Sequence, residues 1–372
     1  MAEMTCGLRE ALQVIIDPRR QCANTKHLFH DVLILGFCGT LAGCDDFVEI
    51  AAWAKEHEDA LGTFLDLPNS IPSHDTLTRV FALVTPQTLQ GVLLPWLQER
   101  RGAPGQLIHI DGKAMRRTRR KTKGLGPLHV VSAWASEVGL TLGQVAVETK
   151  SNEITAIPEL LPLLDLREKI VTIDAIGCQK NIAADIVAQG GDYVLSVKGN
   201  QPTLHEEVAA AFATAAETGT KLKRVTTEEE GHGREEKRTV RVLPAKKLAS
   251  QQALWVGLAT LVMVVREVTC KTTGKLTTEV SYYISSLKPN AKTLGRAIRG
   301  HWTIENGLHW VLDVVFKEDA KRLYERQVAQ NIAFLNRLSV SLLRGDASRD
   351  SLKVKRKRAG WSIPYLMQIL GM

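Results

Sequence analysis

Three acidic residues stand where divalent-metal chemistry on a phosphodiester would need them. Asp111 closes the run LIHID, whose apolar and polar residues alternate as in a strand. Asp174 closes the apolar run KIVTID. Each acid follows apolar residues directly and has a glycine close behind, Gly112 and Gly177. A carboxylate in that setting is costly to bury, so it must be solvated, paired or metal-bound. If the two strands are adjacent and parallel, both side chains emerge at one sheet edge, and carboxyl ends of strands are where open α/β sheets place their sites. The third acid, Glu305, lies in HWTIENGLHWVLDVVF. There Ile304, Leu308, Val311 and Val315 form one apolar stripe at helical spacing, and Glu305 sits about 100° round the helix from it. Two hard cations roughly 4 Å apart would clamp the attacking and leaving oxygens of a displacement in line. Two Asp and one Glu, with no Cys, suit Mg²⁺ or Mn²⁺ better than zinc. For any single Asp at a strand end, capping and ion pairing are the commoner roles. The strand order and the placing of all three acids together raise the metal reading.

The elements that must position these acids are legible in the hydrophobic pattern. Residues 1–100 read as helical, with Ser73 as an N-cap and Asp75 in the first turn of SHDTLTRVFALV. After GAPG the strand LIHID is followed by a basic turn, then by two strand-like runs, PLHVVSAWAS and LTLGQVAVE. Next come a helical stretch from Glu153, the strand KIVTIDA, the helix GCQKNIAADIVAQGG and the strand DYVLSVKGN. This strand–helix–strand order predicts parallel pairing with the first strand. Residues 205–289 break it: a helix, then KRVTTEEEGHGREEKRTVRVL, ALWVGLATLVMVVREVT and TTEVSYYISSL, all strand-like. From Ala291 to about Leu343 the chain reads as helical again, and the tail carries the basic run LKVKRKRAGW.

Bulk properties narrow the class. The chain has 372 residues, 44% hydrophobic and 24% charged, an ordinary globular composition that predicts two or three structural units. Its net charge of +8 favours a polyanionic partner, because phosphate contacts release counterions. The cysteines, Cys6, Cys22, Cys38, Cys44, Cys178 and Cys270, form no C-x-x-C pair, which argues against a zinc site or a disulfide framework. The apolar runs at Val32–Gly43 and Ala253–Val265 are too short to span a bilayer, and no signal peptide is evident, so a cytoplasmic protein without membrane contact is expected.

Other residues carry two readings each. Lys113, Arg116, Arg117, Arg119, Arg120, Lys121 and Lys123 follow Asp111 and are read as a grip on the phosphate backbone, the alternative being a solvated turn. Lys198, Asn200 and Gln201 end the strand after Asp174; a role at the scissile phosphate and a turn role weigh about equally. Gln179 is weighed the same way, against helix capping. Trp302 and Trp310 are read as core packing before base stacking. His301 and His309 are read as supporting or packing residues, and Asp313 ranks below Glu305 as a ligand.

At this point the chain resembles a known family. HIDGKAMRRT, VTIDAIGCQKNIAADIVAQGGDYVLSVKGNQPTL and RGHWTIENGLHWVLDVVFKEDA look like the three catalytic blocks of H-repeat-associated insertion-sequence transposases, enzymes of the DDE type. The leading segment from DPRR to SHDTLTRVF and the tail from NIAFLNRL to KRKRAGW match as well, so the resemblance runs through nearly the whole chain. It implies an α/β, ribonuclease H-like catalytic core over residues 101–204 and 290–345. A β-rich insertion would occupy 205–289, a helical DNA-binding domain 1–100, and a basic tail 346–372. It further implies that Asp111, Asp174 and Glu305 hold two Mg²⁺ or Mn²⁺ ions, cleaving insertion-sequence ends and transferring the strand into target DNA. The implied partner is double-stranded DNA, both the inverted repeats and the target. The implied assembly is a homodimer on DNA, in the bacterial cytosol and nucleoid-associated. The wider group places Tyr, Arg and Lys around the Glu where this chain has Ile298, His301 and Leu312, so those three roles do not carry over. The alternatives are a ribonuclease H-like nuclease without strand transfer and an inactive, domesticated DNA-binding relative.

Overall fold

The computed structural model describes residues 7–20, 22, 25–119, 124–148, 153–231 and 233–372. Its strands are β1 (Leu107–Met115), β2 (Leu128–Ala135), β3 (Leu140–Val147), β4 (Ile170–Ile173), β5 (Asp192–Val197), β6 (Lys223–Gly231), β7 (Arg234–Pro244), β8 (Thr260–Cys270) and β9 (Leu276–Ser285). The fold is mixed α/β. The chain divides into two compact units, one formed by Gly105–Asp111 with Glu153–Ile304, the other by Met1–Pro104, Gly112–Asn152 and Glu305–Met372.

The strand-rich unit follows the order β1-β4-β5-β9-β8-β7-β6. Both β1–β4 and β4–β5 pair in parallel, and the remaining pairs are antiparallel. The short strand Ile170-Val171-Thr172-Ile173 is buried at every position, the pattern of a parallel strand covered on both faces. Helix Lys180–Ala188 makes the crossover to β5. Helix Ala291–His301 lays Ala291, Leu294 and Ala297 on a core of Leu107, Ile170, Val194, Val240, Val242, Val262 and Val264. Asn290 caps that helix by accepting from the amides of Lys292 and Thr293, which satisfies donors the first turn leaves open. Expected as a strand from Ala253, the ALWVG region is instead a helix over Ala249–Leu254 followed by a turn, and β8 starts at Thr260. Gly257, at φ +73°, makes that turn.

The helix-rich unit is built round helix Phe29–Ala42, apolar on all sides and buried along nearly its full length. Helices Phe47–Glu56, His74–Leu83 and Arg326–Gly345 pack on it. Its glycines permit close approach: a Cβ on Gly36 would lie 2.4 Å from the Phe81 ring, and one on Gly39 2.6 Å from Ile50. Ser73 caps helix His74–Leu83, its hydroxyl accepting from Thr76 N–H, as the sequence predicts. Strands β2 and β3 form an antiparallel hairpin, and Met115, Leu128 and Val130 pack against Ala329 and Ala333.

Two further expectations need correction here. The helical reading from Ala291 to Leu343 is interrupted: helix Trp310–Val314 ends, Lys317 turns left-handed at φ +50°, and a new helix begins only at Arg326. The basic run LKVKRKRAGW is not a uniformly solvated face. Within helix Leu352–Trp361, Lys355 and Arg356 are buried. The Arg356 guanidinium donates to the carbonyls of Thr40, Cys44 and Val315 and lies 4.2 Å over the Phe316 ring. Its charge is used to dock helix Leu352–Trp361 on Phe29–Ala42. No single helix among the described residues is long and apolar enough to cross a membrane.

Candidate active site

In the strand-rich unit, β1 and β4 align with Ile110 opposite Ile173. Asp111 and Asp174 are therefore level on neighbouring parallel strands, which lie about 4.8 Å apart; Asp174 follows the last residue of β4, whereas β1, expected to close at Asp111, runs on to Met115. Both are half-buried. The Asp174 Oδ1 accepts from the amides of Ile176 (3.0 Å) and Gly177 (3.4 Å), an Asx-type turn that fixes the carboxylate at the strand end. Gly177 has a reason in packing: a Cβ there would stand 2.2 Å from Ile173 Cγ2 and 3.0 Å from Ile157 Cδ1.

The residues after β5 hold that turn from the other side. Asn200 Nδ2 donates to Ala175 O (2.5 Å) and Gln201 Nε2 to Cys178 O (2.9 Å), while Gln179 Nε2 donates to Ile176 O (3.3 Å). The KGNQP segment thus supports the loop that carries Asp174, and Lys198 is exposed beside it. Cys178 is buried, which pushes its thiol up to about 12. It stays protonated and offers no thiolate ligand.

Two residue pairs before the carboxylates lies a polar group that sequence reasoning missed. His109 and Thr172 face each other in register, both buried. The Thr172 hydroxyl lies 2.6 Å from His109 Nδ1 and 2.8 Å from His301 Nδ1. A hydroxyl has one proton, so it donates to one ring and accepts from the other, and the two imidazoles must be opposite tautomers. Burial pulls His109 down to about 3 and His301 to about 4, so both are neutral near pH 7. Gly300 lets the helix come this close: a Cβ there would be 3.0 Å from His109 Cε1. The bridge therefore ties the last turn of helix Ala291–His301 to the two strands that carry Asp111 and lead into Asp174. The signal available in the sequence was a histidine in an otherwise apolar strand, two residues before the acid.

In the helix-rich unit, Glu305 is exposed and opens a π-helical segment, Glu305–His309. Such segments are rare and concentrate at functional sites. Leu308, Val311, Leu312 and Phe316 are buried and anchor this stretch. Arg344 donates to Gly307 O (2.7 Å) and lies over the Trp134 ring, holding the widened turn from outside. His309 is buried. Trp302 and Trp310, expected in the core, are exposed by 54% and 57%. They alternate with the stripe Ile304, Leu308 and Val311, so a helix that buries the stripe turns them outward.

Lys113 is buried, its ammonium 2.6 Å from Asp313 and 3.2 Å from Asp319. Burial raises the Asp313 carboxyl above its ordinary value, against the lowering by Lys113. Arg116, Arg117 and Arg119 are exposed, and Arg116 reaches Asp319 at 3.1 Å. Arg120, Lys121 and Lys123 lie outside the described residues. Glu318 and Arg337 form a fully buried pair at 3.1 Å, completed by Asn336 and Ser132. Together these ion pairs hold the segment after the π-helix to β1 and β2.

Comparison with known proteins gives a consistent picture. The family described as "Transposase DDE domain" matches residues 102–342, and "DDE_Tnp_1-associated" matches residues 9–97. A relative from Escherichia coli O157:H7, named "Putative transposase YncI", is 39% identical over 98% of this chain and 94% of its own length. "H repeat-associated putative transposase YhhI" from Escherichia coli K12 is 34% identical over 98% and 97%. "Uncharacterized protein in dhlA 3'region" from Xanthobacter autotrophicus is 41% identical over 71% and 89%.

Proposed function

This chain belongs to the DDE transposase family, and from that premise we propose that it cuts the ends of an insertion sequence and joins them to target DNA, with Asp111, Asp174 and Glu305 as the metal-holding carboxylates. The observation that carries the reading is the level placement of Asp111 and Asp174 side by side on adjacent parallel strands, within the stretch the family covers. Support for a ribonuclease H-like core comes from the chain order. A first strand is followed by the β2–β3 hairpin, and two crossovers then add β4 and β5 parallel to it. Glu305 is proposed to complete the set from the helical segment that follows the His109–Thr172–His301 bridge.

Two Mg²⁺ or Mn²⁺ ions, when bound, supply a nucleophile at neutral pH and charge relief at the leaving oxygen. The chain's own residues do the rest. Asp174 is presented in a fixed rotamer by its turn amides. Asn200 and Gln201 keep that turn in place. Arg116, Arg117, Arg119 and Lys198 are exposed and grip phosphates, which positions DNA without reading its sequence. Lys113, engaged with Asp313 and Asp319, holds β1 rather than reaching DNA. The helices over residues 1–100 are proposed to bind the element's inverted repeats, the core to span 101–204 and 290–345, and residues 205–289 to be the insertion. A homodimer on DNA and a cytosolic location complete the proposal.

The test is cleavage and strand transfer with Asp111→Asn, Asp174→Asn and Glu305→Gln, beside a gel shift on the same DNA. Loss of both chemical steps by at least a hundredfold with binding retained supports the assignment. Full activity in any of the three variants removes that residue from the set. Cleavage without joining of pre-cut ends identifies a nuclease, and binding without either step an inactive relative.

A further inference from the structure

We infer that β6 is a self-pairing edge through which two copies of this chain associate. In the strand-rich unit β6 ends the sheet, paired with β7 on one side only. Its nine residues, KRVTTEEEG, pair with β7 in one unbroken register from Lys223 to Gly231, without proline or bulge. Edges of that length are usually shortened, bent or blocked, because the open amides and carbonyls are a template for another strand. Here every side chain but Val225 is exposed.

The charge order along the strand says what pairs there. Cations stand at its start, Lys223 and Arg224, and carboxylates at its end, Glu228, Glu229 and Glu230. An antiparallel second copy brings the basic end against the acidic end. Symmetry then limits the register. A two-fold axis normal to the sheet leaves each face on its own side, and directly opposite residues of an antiparallel pair share a face. The axis must therefore pass through a residue, not between two. Centred on Thr226, the pairing sets Lys223 opposite Glu229 of the second copy, Arg224 opposite Glu228 and Val225 opposite Thr227. Centred on Thr227 it keeps one charge pair, Arg224 with Glu230, and sets Val225 against a carboxylate. Centred on Val225 it keeps none. Opposite charges directly across a strand pair stabilise it, and by symmetry each pair occurs twice.

This inference supplies an interface for the proposed homodimer and rests on that part of the proposed function alone. Asp111→Asn leaves it untouched, so its failure and failure of the metal assignment are separable. The experiment is sedimentation velocity on the DNA-free full chain. One double variant is Lys223→Glu with Arg224→Glu, the other Glu228→Arg with Glu229→Lys. Each alone should self-associate at least tenfold more weakly than the parent, and an equimolar mixture should recover the dimer as a heterodimer. A register probe runs beside it. With Cys6→Ser, Cys22→Ser and Cys270→Ser in place, Thr226→Cys on the axis should oxidise to a disulfide-linked dimer at least tenfold faster than Thr227→Cys. The inference is overturned if the parent stays monomeric at about 100 μM, if the mixture forms no heterodimer, or if the two cysteines cross-link equally.

Discussion

Replacing Thr172 by valine keeps the shape and strand preference of the residue and removes only the hydroxyl between His109 and His301. Two hydrogen bonds are lost, 2.6 Å and 2.8 Å in the parent. One ring acted as acceptor, and losing its bond costs about 1 kcal/mol; the other is left with a buried N–H and no hydroxyl to receive it, about 1–3 kcal/mol, for a total of roughly 2–4 kcal/mol. Thr172→Ser is the control, because it keeps the hydroxyl and removes one buried methyl, about 1 kcal/mol. Equilibrium denaturation of the two variants beside the parent reads the difference. The functional consequence follows from place. The bridge ties the helix leading to Glu305 to the strands bearing Asp111 and Asp174, so Thr172→Val should lower cleavage at least tenfold under folding conditions, with DNA affinity unchanged and Thr172→Ser near the parent. If valine and serine differ by less than about 0.5 kcal/mol, the smallest net worth of one such bond, the hydroxyl bridges nothing of consequence and the positioning argument fails.

Glu318→Gln leaves the Arg337 charge buried without its counter-ion and should cost about 3–5 kcal/mol, whereas Glu318→Leu with Arg337→Met should cost far less; equal losses by denaturant titration would refute the buried-charge account. Burial lowers the Lys321 ammonium to about 8, with Arg356 adding to it. The unfolded chain keeps that proton to about 10.5, so between these values the native state binds fewer protons and stability rises with pH. Lys321→Met should flatten that rise in a thermal series, and an unchanged slope would count against it. Gly177→Val places carbons within the 2.2 Å approach to Ile173, should displace the Asp174 turn and should weaken Mn²⁺ binding measured by calorimetry at least tenfold; unaltered binding would show that the turn does not set the carboxylate.

Periodicity and local chemistry made much of this protein legible from residue order alone. The helix capped by Ser73 and the parallel pairing of the strands LIHID and KIVTID follow from alternation, capping and connection rules, although the first strand runs past Asp111 to Met115. What linear order could not decide were the choices that depend on a partner far along the chain. Lys113 reads as one more cation in a basic turn until Asp313 and Asp319, some two hundred residues later, take up its charge. Arg356 reads as part of a solvated run until three carbonyls and a phenyl ring enclose it. The His109–Thr172–His301 bridge joins three segments that no local pattern connects. A side chain's type and spacing set what it can do and which face it occupies. Burial, and with it the strength of every charge and hydrogen bond, is a property of what packs against that face, and only the folded chain supplies it.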